Sequence, residues 1–318
     1  MTDDASRPGL RHALLLAGAA WAALAASSAG ALLAGAAIAL AAGNPAQALT
    51  HRLSKKLLPL AVVGLGFGMD LGAVARAGAR GFGYTVVTIA ASFAIGALLV
   101  RALRVRGKTG LLITVGTAIC GGSAIAAAAP AIQADDREVT VALGTVFLLN
   151  AVALVVAPPL GHAVGLAEAP FGAWAALAVH DTSSVVGAAL QYGPRALEVA
   201  TAVKLARALW ILPVTVALAA LERRAGRAAA GRAAFPWFIA GFVVAAAVAT
   251  FVPAAAPAAS ALALVARRAL VLTLFLVGAN LSREALREVG ARPLAHGVLL
   301  WIAMGGATLL AVRAGWIS

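Results

Sequence analysis

The chain has 318 residues, of which 62% are hydrophobic and only 12% charged, and its mean hydropathy is +0.95. A soluble domain carries about twice that charged fraction, so a soluble globular protein is excluded. The net charge of +13 would point to nucleic acid in a soluble protein, but here the basic residues sit at the ends of apolar stretches, where membrane topology accounts for them. One cysteine, Cys120, rules out an internal disulfide.

Residues Leu10 to Ser27, preceded by Arg7, have the look of a signal peptide, but another apolar run follows at once, so a first membrane helix is the simpler reading. In chain order the apolar segments are Arg11–Ala26, Ser28–Ala42, Leu57–Arg76, Gly81–Val100, Thr109–Ile132, Glu138–Leu160, Phe171–Tyr192, Leu197–Leu221, Phe235–Val252, Ala269–Leu281 and Leu294–Val312. A span needs roughly 20 apolar residues, and backbone in lipid must satisfy its own hydrogen bonds. The expectation is therefore an all-α polytopic membrane protein, residues 1–318 forming one domain, with about nine to eleven transmembrane segments.

Lysine and arginine orient the segments. With the N-terminus in the cytoplasm, sixteen fall inside: Arg7, Arg11, Arg52, Lys55, Lys56, Arg101, Arg104, Arg106, Lys108, Arg223, Arg224, Arg227, Arg232, Arg283, Arg287 and Arg292. Six fall outside: Arg76, Arg80, Arg195, Arg267, Arg268 and Arg313.

Two segments look broken. One carries Gly116-Thr117-Ala118-Ile119-Cys120-Gly121-Gly122-Ser123, with Pro130 beyond; the other carries His180-Asp181-Thr182-Ser183-Ser184. Irregular backbone at membrane depth persists where it lines a cavity, and broken helices mark substrate sites in many transporters. Internal echoes accompany them. Gly68-Met69-Asp70-Leu71 matches Gly278-Ala279-Asn280-Leu281, and at a shift of 60 Ser123 falls on Ser183 and Glu138 on Glu198. These echoes fit inverted repeats. Broken helices that cross and re-entrant hairpins that turn back are both compatible, because the loop charges fall on the same sides in either case.

Lys204 and Arg207, three residues apart, share a helix face near the bilayer centre, where charge is costly and usually functional. Two adjacent cations favour an anion; the alternative is a structural ion pair of Arg207 with Asp181. His180 or Asp181 could carry a coupling proton, unless Asp181 only neutralises the cations. Thr182, Ser183 and Ser184 suit oxyanion contacts or ordinary helix packing. Exposed amides around Cys120, Gly121, Gly122 and Ser123 suit an anion, or the glycines serve close packing. Asn150 is a weaker polar candidate, and Asp70 and Asn280 read as scaffold. No nucleophile elbow, zinc signature or phosphate loop occurs, so neither an enzyme nor a cofactor or metal is expected.

Gly116 to Ala127, His180 to Ala188 and Lys204-Leu205-Ala206-Arg207, in this order and with the Leu57–Leu71 region, resemble the YeiH-type sulfate exporter family over most of the chain. The resemblance implies a bacterial inner-membrane transporter of sulfate or an organosulfonate. The family name supports an anion transporter better than sulfate in particular.

The expected function is thus a secondary transporter of a small anion, the sulfate, sulfite or organosulfonate class being foremost, coupled to protons. The rivals are a sodium-coupled organic-anion symporter and an anion channel. The expected partners are the anion, the coupling ion and the lipid bilayer, with no nucleic acid and a homo-oligomer left open.

Overall fold

The computed structural model describes residues 8–224, 237–281 and 289–317, and these are helical with no strand among them. Arg7, Arg227, Arg232, Arg283 and Arg287, used above for orientation, lie outside the described residues, as does the expected start of a segment at Phe235. Five helical stretches among the described residues are long and apolar enough to cross a membrane: Leu71–Leu103, Asp136–Ala163, Pro194–Arg224, Pro253–Ala279 and Ala291–Arg313.

The helices pack into two compact units. The first contains α1 (Pro8–Leu24), α2 (Ser28–Ala42), α3 (Gln47–Gly66), α12 (Trp237–Phe251) and α13 (Ala256–Ala279). Its centre is α13, packed on α1, α2 and α3. Small residues make the approach possible: a Cβ on Gly35 would lie 2.1 Å from Phe275 O, and one on Gly278 2.1 Å from Leu32 O. Such backbone-to-backbone seams are how helices associate where apolar burial offers no driving force. Asn280 ends α13, accepting from Thr50 Oγ1 at 2.6 Å, while Asn44 Nδ2 donates to Ala279 O at 2.8 Å.

Two expected segments are corrected here. No helix runs through Leu57–Arg76: α3 ends at Gly66, where Gly64, Gly66 and Gly68 weaken helix propensity, and α4 (Leu71–Leu103) begins after a turn. The helix expected from Ala269 starts at Ala256 instead, with Pro257 in its first turn, where proline is tolerated. Arg76, Arg80, Arg267 and Arg268, expected in outer loops, therefore lie inside α4 and α13.

The second unit contains α4, α5 (Thr109–Ala118), α6 (Gly122–Ala131), α7 (Asp136–Ala163), α8 (Glu168–Ala178), α9 (Thr182–Tyr192), α10 (Pro194–Ala208), α11 (Ile211–Arg224) and α14 (Ala291–Arg313). The expected segment Leu197–Leu221 is interrupted by a turn at Leu209–Trp210, between α10 and α11, where Pro213 has no N–H for the Leu209 carbonyl.

Both broken segments are re-entrant hairpins. Lys108, before α5, donates from Nζ to Ile132 O and Gln133 O just after α6, and its N–H donates to Glu138 Oε1 at 2.7 Å. The start of α5 and the end of α6 thus share one membrane face. The second pair closes the same way: Tyr192 Oη donates to Leu166 O at 2.5 Å, and Arg195 N donates to Glu168 Oε2 at 2.7 Å. Helix α7, 28 residues and about 42 Å long at helical rise, separates the two mouths. Glu138 near its start sits at the first mouth, while Gly161 near its end packs on Phe171 and Tyr192 at the second. The hairpins therefore enter from opposite faces. The echo of Ser123 with Ser183 follows, since each is the second residue of a returning half-helix, α6 and α9.

Candidate functional site

Each hairpin tip is set by local chemistry. After α5, Gly121 adopts φ +67° and ψ −128°, a region that suits glycine. After α8, Val179 and Asp181 are extended, and Asp181 caps α9: Ser183 N donates to its Oδ2 at 3.1 Å and Ser183 Oγ donates to the same oxygen. The polar run His180–Ser184 is thus first a helix start. The tips touch, since a Cβ on Gly121 would lie 3.3 Å from Asp181 Cα. Asn150, midway along α7, fixes this level: its Oδ1 accepts from His180 N and from Asp181 N, both at 3.1 Å.

The two half-helices that arrive at the crossing end in carbonyls that must be satisfied in a buried place. For α5, Val115 O accepts from Ile119 N and Gly116 O from Gly121 N, and Arg207 takes the remaining two. Its Nε donates to Ala118 O at 2.6 Å and its Nη2 to Thr117 O at 3.3 Å. For α8, Lys204 Nζ donates to Ala176 O at 3.3 Å and Val179 O at 2.8 Å, Arg207 Nη1 to Leu177 O at 2.8 Å, and Trp301 Nε1 of α14 to Ala178 O at 3.0 Å. Lys204 and Arg207 are 0% exposed. The expected pair sits at the crossing, but its donors bind helix ends, and the alternative ion pair of Arg207 with Asp181 is not formed. Cations at helix C-termini oppose the negative dipole ends.

The returning half-helices are less completely served. Helix α6 has no side-chain cap from its N-cap residue Gly121; the Ala124 amide meets the Cys120 thiol, and those of Gly122 and Ser123 face the crossing end without one. Buried Thr117 Oγ1, Asn150 Nδ2 and both ring nitrogens of His180 have no hydrogen-bond partner. Buried polar groups are nearly always paired, so these atoms are available to a bound ligand. Ser123 is exposed and Asp181 half-buried, while Cys120, Thr182, Ser183 and Ser184 are buried; Gly122 packs against the ring of Phe147. No cluster of His, Cys, Asp and Glu among the described residues is arranged to hold a metal.

Sequence reading missed two contributors. Trp301 gave no polar signal, and its role follows from a carbonyl 123 residues away. His296, wholly buried on α14, meets Thr114 Oγ1 at 3.1 Å through Nε2; a histidine inside an apolar segment was a visible sign.

The fold and this site define a polytopic helical membrane protein with two opposed re-entrant hairpins. The chain belongs to the family described as Conserved hypothetical protein 698, the YeiH-like family, whose family model matches residues 10–297. It is 54% identical to the UPF0324 membrane protein Bd1437 of Bdellovibrio bacteriovorus, over 92% of this chain and 90% of that protein. It is 45% identical to the UPF0324 membrane protein GSU2818 of Geobacter sulfurreducens, over 91% and 92% of the two chains. A UPF0324 membrane protein of Bacteroides thetaiotaomicron is 44% identical over 88% and 84%. No solved structure matches significantly.

Proposed function

We propose that the chain is a secondary transporter of a small anion, of the sulfate, sulfite or organosulfonate class, coupled to protons. It would lie in the bacterial inner membrane with its N-terminus cytoplasmic. The observation that carries this reading is the meeting of two opposed hairpin tips over two fully buried cations. The charge balance supports it. Lys204 and Arg207 bring two positive charges and Asp181 one negative, while two N-terminal and two C-terminal helix ends, about half a charge each, cancel. One anionic charge, or a dianion with one proton on Asp181 or His180, would balance the remainder.

In this reading the amides of Gly122 and Ser123 and the hydroxyls of Ser123, Thr182 and Ser184 contact the anion, while Ser183, whose hydroxyl donates to Asp181, holds the cap of α9 beside it. Lys204 and Arg207 act through the field and by holding the tips. The sodium rival is disfavoured by the same geometry. A sodium ion needs carbonyl oxygens, and those at the ends of α5 and α8 already accept from Arg207, Lys204 and Trp301.

The test is counterflow of labelled sulfate, sulfite and a short alkyl sulfonate in proteoliposomes, under a pH gradient and, separately, a sodium gradient. Saturable counterflow accelerated by the pH gradient is expected. Acceleration by sodium alone, or no saturable flux of any of the three anions, overturns the reading.

A further inference from the structure

Within the second unit a cavity of about 200 Å3 opens between α4, α8 and α10, at the mouth of the second hairpin. Its walls carry three arginines, Arg76, Arg80 and Arg195, together with Tyr84, and Gly81 of α4 packs there against Val203 of α10. Arg195 belongs to the mouth itself, while Val203 directly precedes Lys204. The cavity therefore follows α10 for about 12 Å, from Arg195 to Val203, while Lys204 turns away from it toward the end of α8.

The charge arrangement is unbalanced. Arg195 pairs with Glu198 at 2.6 Å and its N–H meets Glu168, so the excess of positive charge on the wall rests with Arg76 and Arg80. Arg76 and Arg80 are four residues apart on α4, so they stand one turn above each other, where like charges repel. All three arginines are exposed, so a ligand can reach them. Guanidinium forks recognise oxyanions in two-point contacts, and a phenol adds a donor. The volume lies below the roughly 300–1,000 Å3 of pockets for drug-sized ligands, which suits a small oxyanion group.

We propose that Arg76, Arg80 and Tyr84, beside the Glu198-paired Arg195, form a second oxyanion site, separate from the hairpin crossing, that takes a sulfonate-, sulfate- or phosphate-like group at the mouth of the second hairpin. Its role as an antechamber to the crossing rests on the transport reading; the site itself does not. A lipid phosphate and a free oxyanion share this chemistry.

The test uses Ala77, which lines the cavity, changed to cysteine in a Cys120→Ala background. In nanodiscs of purely zwitterionic lipid, the rate of modification by an anionic sulfonate-bearing methanethiosulfonate is compared with that by a cationic one. Relative to a free thiol, the anionic reagent is expected to gain about tenfold or more, as charged clefts concentrate counter-ions. Arg76→Gln with Arg80→Gln should remove most of that preference, and millimolar sulfate should slow the anionic reagent. If anionic lipid, rather than sulfate, abolishes the preference, the site is real and its ligand is a headgroup. Ala169→Cys, on the opposite wall, repeats the measurement if Ala77→Cys misfolds. A free-thiol ratio at both positions overturns the proposal. Because no flux is measured, failure of the transport reading leaves this result interpretable.

Discussion

Arg207→Ala is the most informative single change. The side chain donates to Ala118 O, Thr117 O and Leu177 O, so it joins the ends of α5 and α8 to α10. Removing it leaves three buried carbonyls without a donor, and each such group costs about 1–3 kcal/mol. The sum, about 3–9 kcal/mol, is a large part of the roughly 5–15 kcal/mol that holds a typical domain folded. Relief from burying a charge offsets some of this, so a loss near the lower bound of about 3 kcal/mol is the expectation. Arg207→Lys should recover only part, because an ammonium lacks the planar fork that reaches both helix ends at once. Thermal unfolding in detergent and limited proteolysis at the hairpin tips measure this. The variant should insert in the membrane yet unfold at a temperature lower by about 5 °C or more. An unchanged midpoint and unchanged tip protection, with anion binding lost, would refute the capping argument and make Arg207 a direct anion ligand.

Asn150→Leu removes the acceptor shared by the buried His180 amide and the half-buried Asp181 amide and should destabilise by about 1–3 kcal/mol, read by the same melting assay. Gly121→Ala, at φ +67° and ψ −128° and with its new Cβ 3.3 Å from Asp181, should cost about 1–3 kcal/mol and impair flux, whereas Gly122→Ala need only displace the Phe147 ring. Asp181→Asn should keep the cap on α9, since asparagine caps helices as well as aspartate does, while losing acceleration of flux by a pH gradient; full proton-driven accumulation by this variant would reduce Asp181 to a capping residue. Ser123→Cys should react with an impermeant thiol reagent in a Cys120→Ala background, and native Cys120, 2% exposed, should react far more slowly.

The sequence alone determined what depends on composition and local propensity. Apolar runs of spanning length placed the chain in a membrane, glycines marked the first break, and an aspartate followed by hydroxyls marked the second. Lys204 and Arg207 stood out because charge in an apolar segment is costly wherever its partner lies. What those cations bind was not legible, because the acceptors are backbone carbonyls 25 to 90 residues away, and every residue has a carbonyl. The choice between crossing helices and hairpins was equally hidden. Loop charge is the same for both, and it took the closure of Lys108 on Gln133 and of Tyr192 on Leu166 to decide it. The arginines of α4 and α13 were misplaced for a related reason: a charge ends a span in a hydropathy reading, but a helix continues through it when its backbone bonds are intact. Periodicity and composition act along the chain, whereas capping donors, opposed hairpins and the arginine-lined cavity exist only where distant segments are brought together.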